Sequence, residues 1–105
     1  MAWLVLATAG LLEIVWATAL QRSDGFTKVW PTALGVATAA LSLALLSMAL
    51  KTLPVGTAYA VWVGIGAVGV AVVGIVVSGE SASAARLLFL SLIVGGVIGL
   101  RLVEG

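Results

Sequence analysis

"VWPTALGVATAALSLALLSMAL", residues 29–50, contains no charged side chain, and its polar residues occur only singly. A helix that spans a bilayer needs about 20 predominantly apolar residues. This run is long enough to be one, and the sequence on either side repeats the pattern. Towards the N-terminus, a second apolar run is interrupted only by Glu13. Towards the C-terminus, Lys51 and Glu80 bracket a third. A fourth follows, with Arg86 and Arg101 near its ends, where long basic side chains can reach the headgroups. The expected helices cover residues 2–20, 30–50, 56–77 and 84–103. The connections at 21–28, 51–54 and 78–81 are too short for a soluble domain. A transmembrane β-barrel would need many alternating strands of about ten residues, whereas these runs are continuously apolar. The expected fold is a single all-α membrane domain, residues 1–105, with four transmembrane helices.

Composition agrees. The chain is 63% hydrophobic and 9% charged, with a mean hydropathy of +1.31. A soluble domain is about a quarter charged. The net charge of +1 gives no nucleic-acid footprint. There is no Cys or His, so disulfides, thiolate or imidazole metal sites and His-based catalysis are excluded; Asn is absent too. No metal or cofactor is expected. Ala17-Thr18-Ala19 after an apolar run resembles a signal-peptide cleavage site. However, no basic residue precedes the run, a Glu interrupts it, and further apolar segments follow, so a first transmembrane helix is expected instead.

Lys and Arg asymmetry between loops normally sets orientation. Four spans put Lys51 and Arg101 on one side, and Arg22, Lys28 and Arg86 on the other. Two against three is nearly no bias, which is compatible with insertion in both orientations.

Two motifs invite over-reading. Gly64-Ile65-Gly66-Ala67-Val68-Gly69 matches G-x-G-x-x-G, but the dinucleotide reading needs a preceding strand, a following helix and an acid about 20 residues on. Here the match lies inside a spanning segment. Its glycines suit either a hinge or a close-packed helix face. Ser91, Gly95 and Gly99 recur every fourth residue in the last segment, a small-xxx-small pattern typical of helix contacts. Four helices are few for enclosing a polar pathway, which favours an oligomer.

An ionisable group within a spanning helix is a functional hypothesis by default. The other acids, Asp24, Glu80 and Glu104, lie in loops or near the end of the last span. Enzyme chemistry therefore has little to work with. Helical spacing puts Gly10 and Trp16 on the face of Glu13: Gly10 to open room beside the carboxylate, Trp16 to wall a pocket and donate its indole N–H. Tyr59 and Trp62 share a face in the third segment, and aromatic faces attract cations. An interfacial aromatic belt accounts for Trp3 and Trp30, but less well for Trp16 and Trp62. Ser42 is a hydroxyl deep in the second segment, available either to a site or to its own helix backbone. An acid, aromatics and a hydroxyl inside membrane segments suit a cation that can shed its water. A planar cation with forked N–H donors would bind a carboxylate bidentately.

Over its whole length the sequence resembles the small multidrug resistance family. The resemblance rests on "GLLEIVWATAL" (10–20), "GFTKVWP" (25–31), "KTLPVGTAYAVWVGIGAVG" (51–69) and "GESASAARL" (79–87). Trp16-Ala17 after the Glu, and Lys51 to Tyr59, are similar to the guanidinium-exporter branch; the multidrug branch has a small residue where Trp16 stands. The resemblance implies an antiparallel, dual-topology homodimer, multi-pass in a bacterial inner membrane. Glu13 of both subunits would form one site for guanidinium or protons. Trp16, Ser42 and Trp62 would orient the carboxylates, and Tyr59 would line the site. Gly64 and Gly66 would kink the third helix, and the fourth helix would make the dimer contact. Inward proton flow would drive guanidinium export by alternating access. Val63 and Gln21-Arg22 depart from the branch pattern. The alternative on the same fold is export of quaternary ammonium or other hydrophobic cations, and a non-transporting assembly factor is a third reading.

Overall fold

The computed structural model describes residues 1–104 and consists of four helices: α1 (Ala2–Arg22), α2 (Val29–Ala49), α3 (Val55–Ser78) and α4 (Ala84–Glu104). Each is long and apolar enough to cross a membrane, and no strand occurs among the described residues. The chain is therefore an all-α protein with four candidate spans. α1 runs on through Gln21 and Arg22, two residues past the expected end. Both side chains are good helix formers, and a helix continues until backbone chemistry stops it.

That stop is Ser23. Its hydroxyl donates to the Leu20 carbonyl at 2.6 Å and accepts from the Phe26 N–H at 3.1 Å. The next three residues, Asp24, Gly25 and Phe26, have φ of 51°, 69° and 69°. Left-handed backbone is unusual for Phe, and hydrogen bonds on both sides hold it: the Thr27 hydroxyl donates to the Asp24 carbonyl at 2.8 Å. α2 then begins at Val29 with Pro31 in its first turn, where a missing N–H costs nothing. Pro54 precedes α3, and a proline disfavours helical backbone in the residue before it. Gly79 ends α3 with φ 69°. Its N–H and that of Glu80 both return to the Gly74 carbonyl. Glu80 folds its carboxylate back over Gly74 and pairs with Arg86 at 2.7 Å. Ser83 caps α4, its hydroxyl accepting the Arg86 N–H at 3.2 Å.

The helices form a slab of 42 × 35 × 17 Å. α1 lies between α2 and α3, and the backbone of α4 packs against that of α3. The core collects Leu6, Ala9, Leu46, Ala49, Ala58, Val61 and Trp62 from the first three helices. α4 has no buried residue. It is attached through its C-terminal half. Val97 presses on Gly64, the Thr57 hydroxyl donates to Glu104 Oε1 at 3.0 Å, and the Arg101 guanidinium lies 4.9 Å from the centre of the Trp3 ring.

Candidate functional site

In hydrocarbon, helices gain little by hiding apolar surface from each other, so close approach at small residues decides which faces meet. α3 shows this on two sides. Gly66 and Gly69 receive Glu13 and Ile14 of α1, and Gly64 receives Val97 of α4. The Glu13 side chain lies directly across Gly66. A methyl added there would overlap the carboxylate and come within 2.8 Å of Glu13 Cβ. Gly66 is thus the floor under the acid.

Gly10 plays a different part from the one its spacing predicts. It leaves no room beside the carboxylate. The space over it is filled by Ile65, whose Cγ2 would lie 2.8 Å from an added Cβ, with the Trp62 carbonyl at 3.4 Å. Gly10 therefore lets α3 approach α1, and the room for Glu13 comes from Gly66 on the facing helix. Gly64 and Gly66 both sit in helix that is continuous from Val55 to Ser78, and both are close-approach points. The G-x-G-x-x-G stretch has no strand before it and lies wholly within α3.

Ser42 and Trp62 are brought together. Trp62 Nε1–H donates to Ser42 Oγ at 3.0 Å, and Ser42 donates onward to the Ala9 carbonyl of α1 at 2.7 Å. Ser42 therefore bonds across helices and not to its own backbone. Ala9 is also the residue whose carbonyl takes the Glu13 backbone N–H in an α-helix. The chain of bonds from Trp62 thus ends one peptide group from the acid's own backbone. Tyr59 stacks against Trp62 with ring centroids 5.5 Å apart and planes tilted by 53°. Its ring remains more than half exposed.

Neither Trp62 nor Ser42 hydrogen-bonds the Glu13 carboxylate within the chain. Glu13 Oε1 and Trp16 Nε1 are buried and unpartnered among the described residues. One is an acceptor and the other a donor, one turn apart on α1. Unsatisfied buried polar atoms are rare and costly, so the pair stands out as the candidate site's unspent donor and acceptor. Ser91 donates to its own helix at Leu87, 2.8 Å away. An added Cβ at Gly95 or Gly99 would meet nothing within 4 Å, so the small-residue face of α4 is open.

Four apolar helices with one carboxylate held on a glycine of the neighbouring helix define a small polytopic membrane protein with an intramembrane ionisable site. The chain belongs to the small multidrug resistance family, whose description, Small Multidrug Resistance protein, matches residues 1–93. It is 60% identical over 102 residues to the guanidinium exporter of Citrobacter freundii, covering 97% of each chain. It is 58% identical to the guanidinium exporter of Salmonella typhimurium strain LT2, again covering 97% of each. With the guanidinium exporter of Yersinia pseudotuberculosis it shares 56%, covering 97% of this chain and 98% of the relative.

Proposed function

We propose that this protein exports guanidinium in exchange for protons. The reading is supported by relatives named guanidinium exporter at 56–60% identity over nearly the full chain. The observation that carries the mechanism is the buried, unpartnered oxygen of Glu13 above Gly66. Guanidinium offers about six N–H donors in a plane and no acceptor, the complement of a carboxylate edge. A buried carboxylate is costly as a lone ion; either a proton or a guanidinium relieves the cost. The two therefore compete, and the site is never left charged and empty for long.

The Trp62–Ser42–Ala9 chain fixes α1 against α2 and α3, so that Glu13 is presented in one orientation. Trp16 has its N–H free to brace a carboxylate. Two copies in antiparallel arrangement, joined through Ser91, Gly95 and Gly99 of α4, would bring two Glu13 side chains to one site. Bending of α3 at Gly64 and Gly66, with Tyr59 at the opening, would then switch access between the two sides of a bacterial inner membrane. On this reading the protein is a transporter, in keeping with relatives named as exporters.

The test is guanidinium-evoked current from proteoliposomes on a solid-supported membrane, wild type beside Glu13→Gln. Wild type should give a transport current and the variant none, with the variant still assembled. Silence with guanidinium but a robust current with a tetraalkylammonium ion would replace the substrate assignment. A variant that fails to assemble would make Glu13 a packing group.

A further inference from the structure

The groove between the end of α1 and the start of α2 plays no part in that transport cycle. Thr18, Ala19, Arg22, Trp30, Pro31 and Leu34 line a space of about 410 Å³. Its floor is apolar: Ala19 is buried and Pro31 partly so, with Leu34 along the wall. One rim carries Arg22, the last residue of α1, and the other carries the Trp30 indole, 83% exposed. This end of the slab is where two spans terminate in Arg22, Ser23, Asp24 and Lys28, so it lies at the boundary between hydrocarbon and headgroups. The apolar length of the groove therefore faces acyl chains, while its charged end faces the headgroup layer.

The charges at that end are uncompensated. Among the described residues the only ion pair is Arg86–Glu80. Neither Arg22 nor Lys28 pairs with a carboxylate, although Asp24 lies between them in sequence. Glu80 borders the far side of Arg22, but its Oε1 is engaged by Arg86. α2 adds no acidic residue in its first turn. An apolar slot leading to unpaired cations at the headgroup level complements one kind of molecule: an acyl chain carrying an anionic head.

We infer that this groove is a binding site for an anionic phospholipid. One acyl chain lies along Ala19, Pro31 and Leu34, the phosphate sits at Arg22, and the Trp30 ring rests at the glycerol level. A zwitterionic lipid offers the same chain and phosphate, but it leaves the surplus charge of Arg22 and Lys28 unbalanced. Selectivity for a net negative headgroup follows.

The experiment is native mass spectrometry of the full chain in mild detergent, titrated with phosphatidylglycerol or phosphatidylcholine of identical acyl composition. Wild type should retain phosphatidylglycerol adducts about fivefold more strongly, the scale of one basic residue near an anionic surface. Arg22→Gln should bring the two lipids close to parity, and Arg22→Lys should restore most of the preference. Arg101→Gln, the same charge change at the cation lying on Trp3, should leave the preference intact and controls for net charge. Equal retention of both lipids by wild type overturns the inference, as does an Arg22→Gln variant with undiminished preference. Displacement of the adducts by excess inorganic phosphate would reduce the site to a bare anion contact and overturn it too. So would efficient disulfide formation between copies carrying Leu34→Cys in lipid-replete membranes, which would assign the groove to a second copy.

Discussion

Gly66 is the residue on which the candidate site rests. Its missing side chain is where the Glu13 carboxylate lies, and overpacking a tight contact costs about 1–3 kcal/mol. Gly66→Ala should weaken guanidinium binding about tenfold or more, read by titration calorimetry, because the acid must leave its seat. Gly64→Ala displaces Val97 on α4 instead, and guanidinium affinity should fall much less. Equal losses in the two variants would deny Gly66 its special position. Ser42 makes a second prediction. Ser42→Ala strands the buried Trp62 N–H and removes a donor from the Ala9 carbonyl. Leaving such a group unsatisfied costs about 1–3 kcal/mol, so the melting temperature in detergent should drop by several degrees. An unchanged melt would mean that the bond contributes nothing net. Glu13 was legible in the sequence because a lone acid in an apolar run announces itself. Gly66 as its seat was not. Spacing along α1 groups Gly10 and Trp16 with the acid, but says nothing of what stands opposite. That depends on the register of α1 against α3, which is set by interlocking contacts such as Ile65 on Gly10 and Ile14 on Gly69, and no local pattern encodes it.

At the scale of the element, the four spans could be read because hydrocarbon demands unbroken apolar length, a signal that needs no tertiary information. The ends were less visible, since they depend on individual hydrogen bonds: Ser23 closing α1 and the Gly74 carbonyl collecting two N–H groups at the end of α3. Gly79 supplies the left-handed backbone for that second turn, which an L side chain adopts at a cost of about 1–2 kcal/mol. Gly79→Ala should therefore lower the melting temperature measurably, and it should loosen the Glu80–Arg86 pair that the turn presents. Gly79→Asn should recover part of the loss, because Asn tolerates this region better. Equal melting of the three proteins would remove the turn from the list of stabilising features. The unequal attachment of α4 could not be foreseen either. Its small-residue stripe matches a helix-contact pattern, but the sequence does not say that Ile93 and Val97 meet Gly64 of α3 while Gly95 and Gly99 stay open.

At the scale of the whole molecule, the proposed competition of proton and guanidinium for Glu13 would fix the sign of the pH response. Protonation of Glu13 removes the charge that guanidinium needs, so apparent affinity should fall as pH drops below the pKa of the site. With one proton displaced per cation, the dissociation constant should rise about tenfold per pH unit in that range. Tryptophan-fluorescence titrations across mildly acidic to alkaline pH measure this directly. A flat profile would argue against a shared binding group.

The slab is 17 Å thick, little more than the 10–12 Å diameter of a single helix with its side chains. A body so thin presents two broad faces and keeps only a narrow core, with Leu6, Ala9 and Ser42 at its centre. In the proposed dimer a second copy closes over the cation at Glu13, so capture and subunit association would draw on the same free energy. Mass action then applies to both at once. Dilution of the protein in the membrane should weaken its hold on the ion, and a saturating ion should hold the copies together. On that proposal the binding constant would be a property of the population of copies and not of one molecule.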